Sequence, residues 1–238
     1  MINIVCLKWG RKYGAEYVNR LCNAVRRNTT MDHRFWCFTE DPAGILPGIE
    51  ILPLPWADKL DTWWNKIFLF APDNGLPHHE QILYIDLDTL IVTDIDDVMA
   101  VDQVPDIVVL RDFYQDIART AGHIGSGIMS WRQGQYPEIW QRFQQDPGAA
   151  VASVLPHGDQ AWIARHIDHW YYWQDLFPDR VVSFKLHCAQ GLPDRAGIVC
   201  YHGRPSIPES VTQATDHGTA RKKWRVEAAP WVLDHWRD

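Results

Sequence analysis

Residues 81–88 (QILYIDLD) constrain the fold more than any other segment of this 238-residue chain. The nearly continuous apolar run at 81–85 predicts a strand covered on both faces, which is the environment of central strands in parallel sheets. Asp86 and Asp88 follow directly, and residues two apart on an extended chain point to the same side. We therefore expect two convergent carboxylates at the carboxyl end of a central strand, where open α/β sheets bind ligands.

The first hundred residues alternate between strand and helix signals. Apolar, β-rich runs predict three further strands, at 2–7, 33–39 and 49–52. Apolar residues at helical spacing predict a helix at 15–27, and a second helix is predicted at 61–70 with Asp61 as its N-cap. This alternation predicts an α/β fold of three layers, with a mainly parallel central sheet.

The second half of the chain is less regular. Short apolar runs predict four strands, at 107–110, 127–131, 180–184 and 198–201. Helices are predicted at 137–145 and 159–167, and the periodicity from residue 206 onward is weak. Because the chain shows no internal repeat and no linker, a single domain over 1–238 is predicted.

Composition argues against several classes of protein. The chain has 23 Lys and Arg against 30 Asp and Glu, and its net charge of −7 disfavours nucleic acid as a partner. No run approaches the roughly 20 apolar residues that span a bilayer, and the first residues lack a signal-peptide pattern. Five scattered cysteines indicate neither a disulfide framework nor a zinc site, which favours a reducing, cytoplasmic location.

The paired carboxylates Asp86 and Asp88 point to a hard cation. Two carboxylates held close together repel each other unless a cation or a proton lies between them. Oxygen ligands with partial hydration suit Mg²⁺ or Mn²⁺, which substrate phosphates commonly help to coordinate. An Asp-x-Asp pair is also compatible with a solvated loop that follows a strand, so both interpretations stay open here.

Five segments together resemble the nucleotide-sugar glycosyltransferases of the GT-A fold, and most closely family 8 and its bacterial relatives. The resemblance extends over about residues 1–205. Its motifs lie in family order and read WNKIF (64–68), LYIDLDTLIVTDIDDV (83–98), IGSGIM (124–129), GDQ (158–160) and YHGRP (201–205). The resemblance implies a GT-A-like three-layer α/β sandwich and transfer of a sugar to an acceptor hydroxyl.

The resemblance also implies a role for each matching residue. The metal ligands would be Asp86, Asp88 and His202, and Gln160 with Asp159 would lie beside the reacting anomeric carbon. The donor would be held by a larger set: Lys8, Trp9, Gly10 and Tyr13 at the nucleoside, and Lys66, Ser126 and Arg204 at the sugar or phosphates. Residues 1–100 would form the nucleotide and metal half, 101–205 the half that shapes the donor and acceptor sites, and 206–238 a tail.

Two departures from the family pattern concern the donor site. Gly125 stands where the family usually has Asn, which removes one expected contact to the donor sugar. After His202 the spacing is shortened, and residues 206–208 replace the usual Lys-Pro-Trp. Arg204 could supply the missing phosphate contact, because Arg binds phosphate through two parallel hydrogen bonds.

The resemblance further implies the cofactor and the partners. The cofactor would be Mn²⁺ or Mg²⁺, the donor a nucleotide sugar such as a UDP-sugar, and the acceptor a glycan or lipid-linked glycan, with the anomeric configuration retained. The basic cluster at 221–225, followed by Trp231 and Trp236, suggests peripheral contact with the inner face of a membrane. A solvated tail is the alternative for that cluster.

Rival interpretations apply to the site residues and to the function. His202 could be a structural histidine, Lys66 a side chain that extends along apolar surface to water, and Asp159 an N-cap. The tryptophans that could stack on sugar or base faces are Trp9, Trp56, Trp63, Trp64, Trp170 and Trp173. Asp86-x-Asp88-x-Thr also matches the phosphatases of the haloacid dehalogenase type, and a non-catalytic sugar- or nucleotide-binding module is a third possibility.

Overall fold

The computed structural model describes residues 1–60, 62–114, 123–218 and 223–238. Its main sheet has seven strands in the order β3-β2-β1-β4-β7-β6-β8. These are β1 Ile2–Lys8, β2 His33–Thr39, β3 Glu50–Pro53, β4 Gln81–Ile85, β6 Ile107–Arg111, β7 Ile124–Arg132 and β8 Trp170–Tyr172. Within this sheet β7 pairs antiparallel with both of its neighbours, and all the other pairs are parallel. The predicted fold class, a mainly parallel α/β sheet, is confirmed.

Helices cover both faces of the main sheet, and two small sheets complete the fold. The helices are α1 Ala15–Arg27, α2 Asp96–Met99, α3 Pro137–Phe143, α4 Pro147–Val154, α5 Asp159–Arg165, α6 Trp173–Leu176, α7 Phe184–His187 and α8 Ile207–Thr212, with 3₁₀ helices at Thr62–Phe70 and Pro230–Asp234. The small sheets comprise β5 Thr89–Ile91, β10 Ile198–Cys200 and β9 Val181–Ser183, and the hairpin β11 Thr215–Gly218 with β12 Lys223–Val226.

Alternation along β1 produces the three layers. Ile4 and Cys6 pack in a core with the apolar face of α1. Val5 and Leu7 point to the opposite face and pack in a second core with the 3₁₀ helix Thr62–Phe70 and with α3, α4 and α5. Since side chains alternate along a strand, a fully buried β1 requires a cover on each face.

The small sheet of β5, β10 and β9 brings a distant part of the chain to the end of β4. The N–H of Tyr201, which follows β10, donates to the Asp88 carbonyl at 2.9 Å. Val199 and Leu90 of this sheet pack in a third core with Val232. This contact places residues 198–202 beside the Asp-x-Asp segment, although more than 100 residues separate the two in the chain.

The segment from 61 to 70 differs from the predicted α-helix. Residues Thr62–Phe70 form a 3₁₀ helix, and Asp61, the predicted N-cap, lies outside the described residues. Every residue from Trp64 to Phe70 is buried. Because burial surrounds the segment, its packing does not depend on the single apolar stripe of an amphipathic α-helix.

The tail is more ordered than its weak periodicity predicts. The Ser206 hydroxyl accepts from the Glu209 N–H while the Glu209 carboxylate accepts from the Ser206 N–H, and this capping box starts α8. The rings of Trp236 and Tyr17 pack together with their centroids 5.5 Å apart. The central carbon of the Arg20 guanidinium lies 4.1 Å from the centroid of the Trp236 ring. Of the basic cluster, Arg221 and Lys222 lie outside the described residues, so membrane contact stays a prediction.

Three further observations bear on the composition-based expectations. All five cysteines are buried free thiols. In the part of the chain that the structure describes, no helix is both long enough and apolar enough to cross a membrane. The predicted strand at 127–131 starts earlier, at Ile124, because pairing with β6 extends it through two glycines of low strand propensity.

A buried amide joins β1 to its two neighbours and generates a stability prediction. Asn3 accepts from the Trp36 indole N–H at 3.0 Å and donates to Glu80 Oε2 at 2.9 Å. Asn3→Ala leaves the buried Trp36 donor unpaired, so we expect unfolding in urea to show a loss of about 1–3 kcal/mol. The exposed control Gln103→Ala should change stability by less than about 0.5 kcal/mol. Equal stability of Asn3→Ala and wild type would contradict this account of the strand junction.

Candidate functional site

Lys66 joins three separate elements at the carboxyl end of β4. It lies on the 3₁₀ helix, and its side chain is 7% exposed. Its ammonium lies 3.2 Å from Asp86 Oδ2 and 3.4 Å from Asp159 Oδ2, and it donates to the Ser126 hydroxyl and carbonyl at 3.1 Å. One buried cation therefore links the strand end, β7 and the first residue of α5.

The carboxylates around Lys66 are held in fixed orientations. Ser126 donates through its hydroxyl to Asp159 Oδ2 at 2.6 Å, and the Tyr84 hydroxyl donates to Asp86 Oδ1. Burial alone lowers the pKa of Lys66, but Asp159 and then Asp86 raise it above its ordinary value. The ammonium therefore stays charged, and it compensates negative charge that burial would otherwise make costly.

Asp88 is held by Tyr13, which precedes α1, and not by Lys66. It accepts from the Tyr13 hydroxyl at 2.8 Å. Burial, and secondly the neighbouring Asp86 carboxylate, raise the pKa of Asp88 to about 6. Such a pKa reflects negative charge that the surrounding protein does not fully compensate, and an added cation would lower it.

These residues line a cleft of about 460 Å³. Predicted site residues that line it are Lys66, Asp86, Asp88, Ser126, Asp159, Gln160 and His202. A larger cavity of about 620 Å³, near Asp179 and His187, contains none of the predicted site residues. The structure therefore brings the metal, donor-sugar and catalytic candidates together in one cleft, whereas the nucleoside candidates lie outside it.

His202 lines the cleft and follows Tyr201, whose N–H donates to the Asp88 carbonyl. Its Nε2 is 2.6 Å from the Ser183 hydroxyl, and its ring stacks on Phe113 with centroids 5.6 Å apart. Lys185 donates through its ammonium to the His202 carbonyl. The Nε2 atom of the imidazole has a polar partner in this structure, and the role of His202 as a metal ligand stays a prediction.

The predicted nucleoside loop makes local contacts. Lys8 is buried and donates to the Asp41 carbonyl at 2.9 Å, and the Gly10 N–H donates to Glu40 Oε1 at 2.6 Å. Gly10 has φ +59°, which favours glycine at this turn. Trp9 packs on the edge of the second core, and Tyr13 reaches the site through Asp88.

Arg204 stands apart from the cleft lining. Its side chain is 88% exposed, and its guanidinium lies 3.7 Å from Glu209 Oε1. Exposed pairs of this kind contribute little to stability, so the contact does not fix the side chain. Its proposed contact with donor phosphate remains a prediction.

The alternatives considered for Lys66 and Asp159 are not what the structure shows. Lys66 does not extend to water, because carboxylates surround its ammonium. Asp159 is the first residue of α5 rather than its cap: Gly158 holds the cap position, and the Asp159 carboxylate faces Lys66 and Ser126. A buried, cleft-facing carboxylate beside a cation is an arrangement typical of functional sites.

Two carboxylates of the site, Asp86 and Asp88, are the candidates for holding a divalent cation. Among residues 1–60, 62–114, 123–218 and 223–238, no three His, Cys, Asp or Glu side chains converge closely enough to hold a metal ion by themselves. The two carboxylates of Asp86 and Asp88 do fit Mg²⁺ or Mn²⁺, which are bound through one or two carboxylates with substrate phosphates and water as further ligands. The donor set therefore suits a cation that binds together with a phosphorylated ligand.

Several residues of the site were not predicted from the sequence. Tyr84 orients Asp86, and its position two residues earlier on the same strand is a signal that could have identified it. Gly127 faces Asp86: a Cβ placed on it would lie 3.3 Å from Asp86 Oδ2. Ser183 and Phe113 contact His202 from distant segments, and no local sequence signal indicates either of them.

Comparisons with known proteins identify the fold. No family model matches the sequence, and no curated protein sequence matches it. The structure of the galactosyltransferase LgtC in complex with donor and acceptor sugar analogues matches with a TM-score of 0.62 over 86% of this chain and 88% of that chain, at 12% identity. The glycosyltransferase GlyE of Streptococcus pneumoniae TIGR4 matches with a TM-score of 0.62 over 87% of this chain and 56% of that chain, at 13% identity. The chain therefore has the GT-A fold of these glycosyltransferases, as predicted.

The buried cation generates the prediction from this site. Lys66→Met removes the charge that compensates Asp86 and Asp159, and breaking a buried ion pair in this way costs about 3–5 kcal/mol. Urea unfolding should show a loss of that size, whereas Lys59→Met, at an exposed lysine whose ammonium lies 5.0 Å from the centre of the Trp56 ring, should show no more than about 1 kcal/mol. If Lys66→Met unfolded at the same urea concentration as wild type, the ion-pair account would be wrong.

Proposed function

We propose that this chain is a metal-dependent glycosyltransferase that moves a sugar from a nucleotide-diphosphate donor to an acceptor hydroxyl. One observation carries the proposal: Lys66, buried between Asp86 and Asp159, joins the Asp-x-Asp strand end to α5 in one cleft. The GT-A fold supports it, because the solved structures of that fold described above are glycosyltransferases. Fold alone does not establish activity, so the argument depends on the chemistry of the cleft.

The residues of the cleft divide into three proposed roles. Asp86 and Asp88 would hold Mn²⁺ or Mg²⁺ together with the donor diphosphate, with His202 as a further ligand, and such a cation offsets charge on the departing diphosphate. Lys66 would stabilise the same charge from a buried position, where electrostatic interactions are strong. Asp159 and Gln160 would place oxygen atoms near the anomeric carbon.

The proposed reaction is a substitution at that carbon. The bond from the anomeric carbon to the diphosphate oxygen breaks, and the nucleoside diphosphate leaves with its electron pair. A bond forms from the acceptor hydroxyl oxygen to the same carbon, and the hydroxyl proton passes to the leaving phosphate or to solvent. An oxocarbenium-like transition state is stabilised by nearby oxygen atoms, which Asp159 and Gln160 would provide.

Donor, acceptor and location are proposed from the family resemblance. The donor would be a UDP-sugar, with Lys8, Trp9, Gly10 and Tyr13 at the nucleoside and Arg204 at a phosphate. The acceptor would be a glycan or a lipid-linked glycan, and transfer would retain the anomeric configuration. The reaction would take place in the cytoplasm, with peripheral contact at the inner membrane face.

Of the two rival functions, a sugar- or nucleotide-binding module without turnover is the one that experiment must separate from transfer. It would use the same cleft and the same fold. The phosphatase interpretation makes Asp86 a nucleophile, but Asp86 Oδ1 accepts from Tyr84 and Oδ2 pairs with Lys66. The GT-A fold also does not favour that interpretation.

Replacing one carboxylate tests the metal role. Asp88→Asn keeps an acceptor for the Tyr13 hydroxyl but removes a charge, so we expect a folded protein in which turnover of a UDP-sugar with Mn²⁺ falls at least about 100-fold. Released UDP reports the rate. The control Asp102→Asn, at an exposed carboxylate outside the cleft, should keep wild-type turnover. Wild-type rates in Asp88→Asn would contradict the assignment.

The stereochemistry of the first product tests the proposed retention. For a gluco- or galacto-configured sugar, proton NMR distinguishes the two anomers of the product through the coupling constant of the anomeric proton, because a glycoside does not interconvert its anomers in water. With an α-linked donor, we expect an α-linked product. A β-linked product would show inversion and would contradict the family-based proposal while leaving sugar transfer itself intact.

A further inference from the structure

Trp63 is the exposed aromatic residue of the cleft wall that faces α5. Its side chain is 51% exposed, whereas Trp64, its neighbour on the same 3₁₀ helix, is 7% exposed and packed in the second core. Trp63 lines the cleft together with Lys66 and with residues 156–160. Ligand pockets are lined mainly by apolar and aromatic side chains. An exposed aromatic side chain inside a candidate active site therefore indicates a ligand-binding surface, whereas single exposed apolar side chains elsewhere are common and indicate nothing.

The Trp63 indole packs closely against the backbone of Gly158. A Cβ placed on Gly158 would lie 2.5 Å from Trp63 Nε1, which is closer than real atoms approach. Gly158 has φ −84°, an ordinary value, so close packing of the indole rather than backbone conformation requires glycine here. Trp63 is therefore held against the loop that leads into Asp159, with part of its surface open to the cleft.

Contacts place Trp63 beyond the metal and donor candidates. Tyr13 contacts Asp88, Lys66 joins Asp86 to Asp159, and Trp63 packs on Gly158, the residue before Asp159. The nucleoside loop reaches the site at Asp88, which is the other end of this chain of contacts. Along these contacts, Asp86, Lys66 and Asp159 come between Trp63 and Asp88, where the proposed nucleoside loop reaches the site.

Polar side chains line the same cleft as the open indole. His157 and Gln160 line the cleft together with Trp63, and they also border a smaller adjoining cavity of about 180 Å³. His157 packs edge-on against His123, with ring centroids 4.9 Å apart. The combination of one flat apolar surface with imidazole and amide groups in the same cleft suits a ligand that has one apolar face and hydroxyls around its rim.

We propose that Trp63, His157 and Gln160 form the binding site for an uncharged hexopyranoside, the acceptor sugar of the proposed reaction. This inference rests on the proposed function. The C–H groups on one face of a pyranose ring carry partial positive charge and are attracted to the negative face of an indole. The ring hydroxyls can donate to and accept from His157 and Gln160. An acceptor stacked there lies next to Asp159 and Gln160, the residues proposed at the anomeric carbon.

A nucleobase is the main competing occupant, because bases also stack on aromatic side chains. Stacking of the base on Trp63 would place the nucleoside beside Gly158, whereas the proposed nucleoside contacts reach the site at Asp88 through Tyr13. The acceptor is therefore the occupant that the contacts favour. Kinetics can separate the two, since each occupant links Trp63 to a different substrate.

The experiment compares the full-length wild type with Trp63→Ala and Trp63→Phe, and with Tyr171→Ala as an exposed aromatic outside the cleft. UDP-sugar hydrolysis without acceptor reports the donor site, and transfer to a panel of p-nitrophenyl hexopyranosides reports the acceptor site. Saturation-transfer NMR with the same pyranosides measures their binding directly. Thermal unfolding of each variant checks that the fold is kept.

We expect Trp63→Ala to raise the acceptor KM about tenfold, Trp63→Phe to raise it less, and Tyr171→Ala to leave it unchanged. Tyr171→Ala should keep the donor KM and the rate of hydrolysis within about twofold of wild type, and Trp63→Ala should raise the acceptor KM by a larger factor than the donor KM. In the NMR experiment, protons on one face of the pyranose should receive saturation in wild type and lose it in Trp63→Ala.

Three outcomes would overturn the proposal. A raised donor KM with an unchanged acceptor KM would assign Trp63 to the nucleobase. Unchanged KM values for both donor and acceptor would show that Trp63 lines the cleft without binding either substrate. Failure of every pyranoside to bind or to accept sugar would exclude hexopyranosides as the ligand class. Failure of the proposed function looks different: wild type would then neither hydrolyse a nucleotide sugar nor transfer its sugar to any acceptor, whether or not the NMR experiment shows a pyranoside bound.

Discussion

The Lys66 ammonium is the interaction on which the site depends. A buried lysine is stable only where carboxylates and hydrogen-bond acceptors replace water, and here Asp86, Asp159 and Ser126 do so from three different elements. The pairing fixes the 3₁₀ helix, β7 and α5 relative to the end of β4. The same charge that stabilises this junction also lies in the cleft, where an anionic group could use it. Stability and chemistry are therefore joined at one side chain.

Local patterns predicted what is local in the fold. The apolar run at 81–85 and the following carboxylates identified β4 and the edge of the sheet where the cleft lies, because strand burial and alternation are read directly from the sequence. Contacts between residues that are far apart in the sequence could not be predicted from burial and alternation. Tyr13 binds Asp88 from 75 residues away, and no periodicity encodes that contact. The tail was missed because a capping box and contacts with the third core, rather than an amphipathic pattern, hold it in place.

The fold and the substrate are separate questions for this chain. Structural likeness at 12–13% identity establishes the architecture and leaves the substrates open. Gly125 and Gly127 allow β7 to pass close to Leu110 and Asp86, respectively, so their lack of side chains serves packing at this edge. Identification of donor and acceptor therefore depends on contacts at Asp88, at Lys66 and at Trp63 rather than on the fold.

The proposed function depends on joint binding of a divalent cation and a nucleoside diphosphate at Asp86 and Asp88. Thermal unfolding tests it most directly, because a ligand that binds only the folded chain raises the melting temperature. Wild type should show a clear rise with UDP plus Mn²⁺ that exceeds the sum of the rises with UDP alone and with Mn²⁺ alone, and Asp86→Asn with Asp88→Asn should abolish that excess. An additive response in wild type, for UDP and for the other nucleoside diphosphates alike, would contradict the claim.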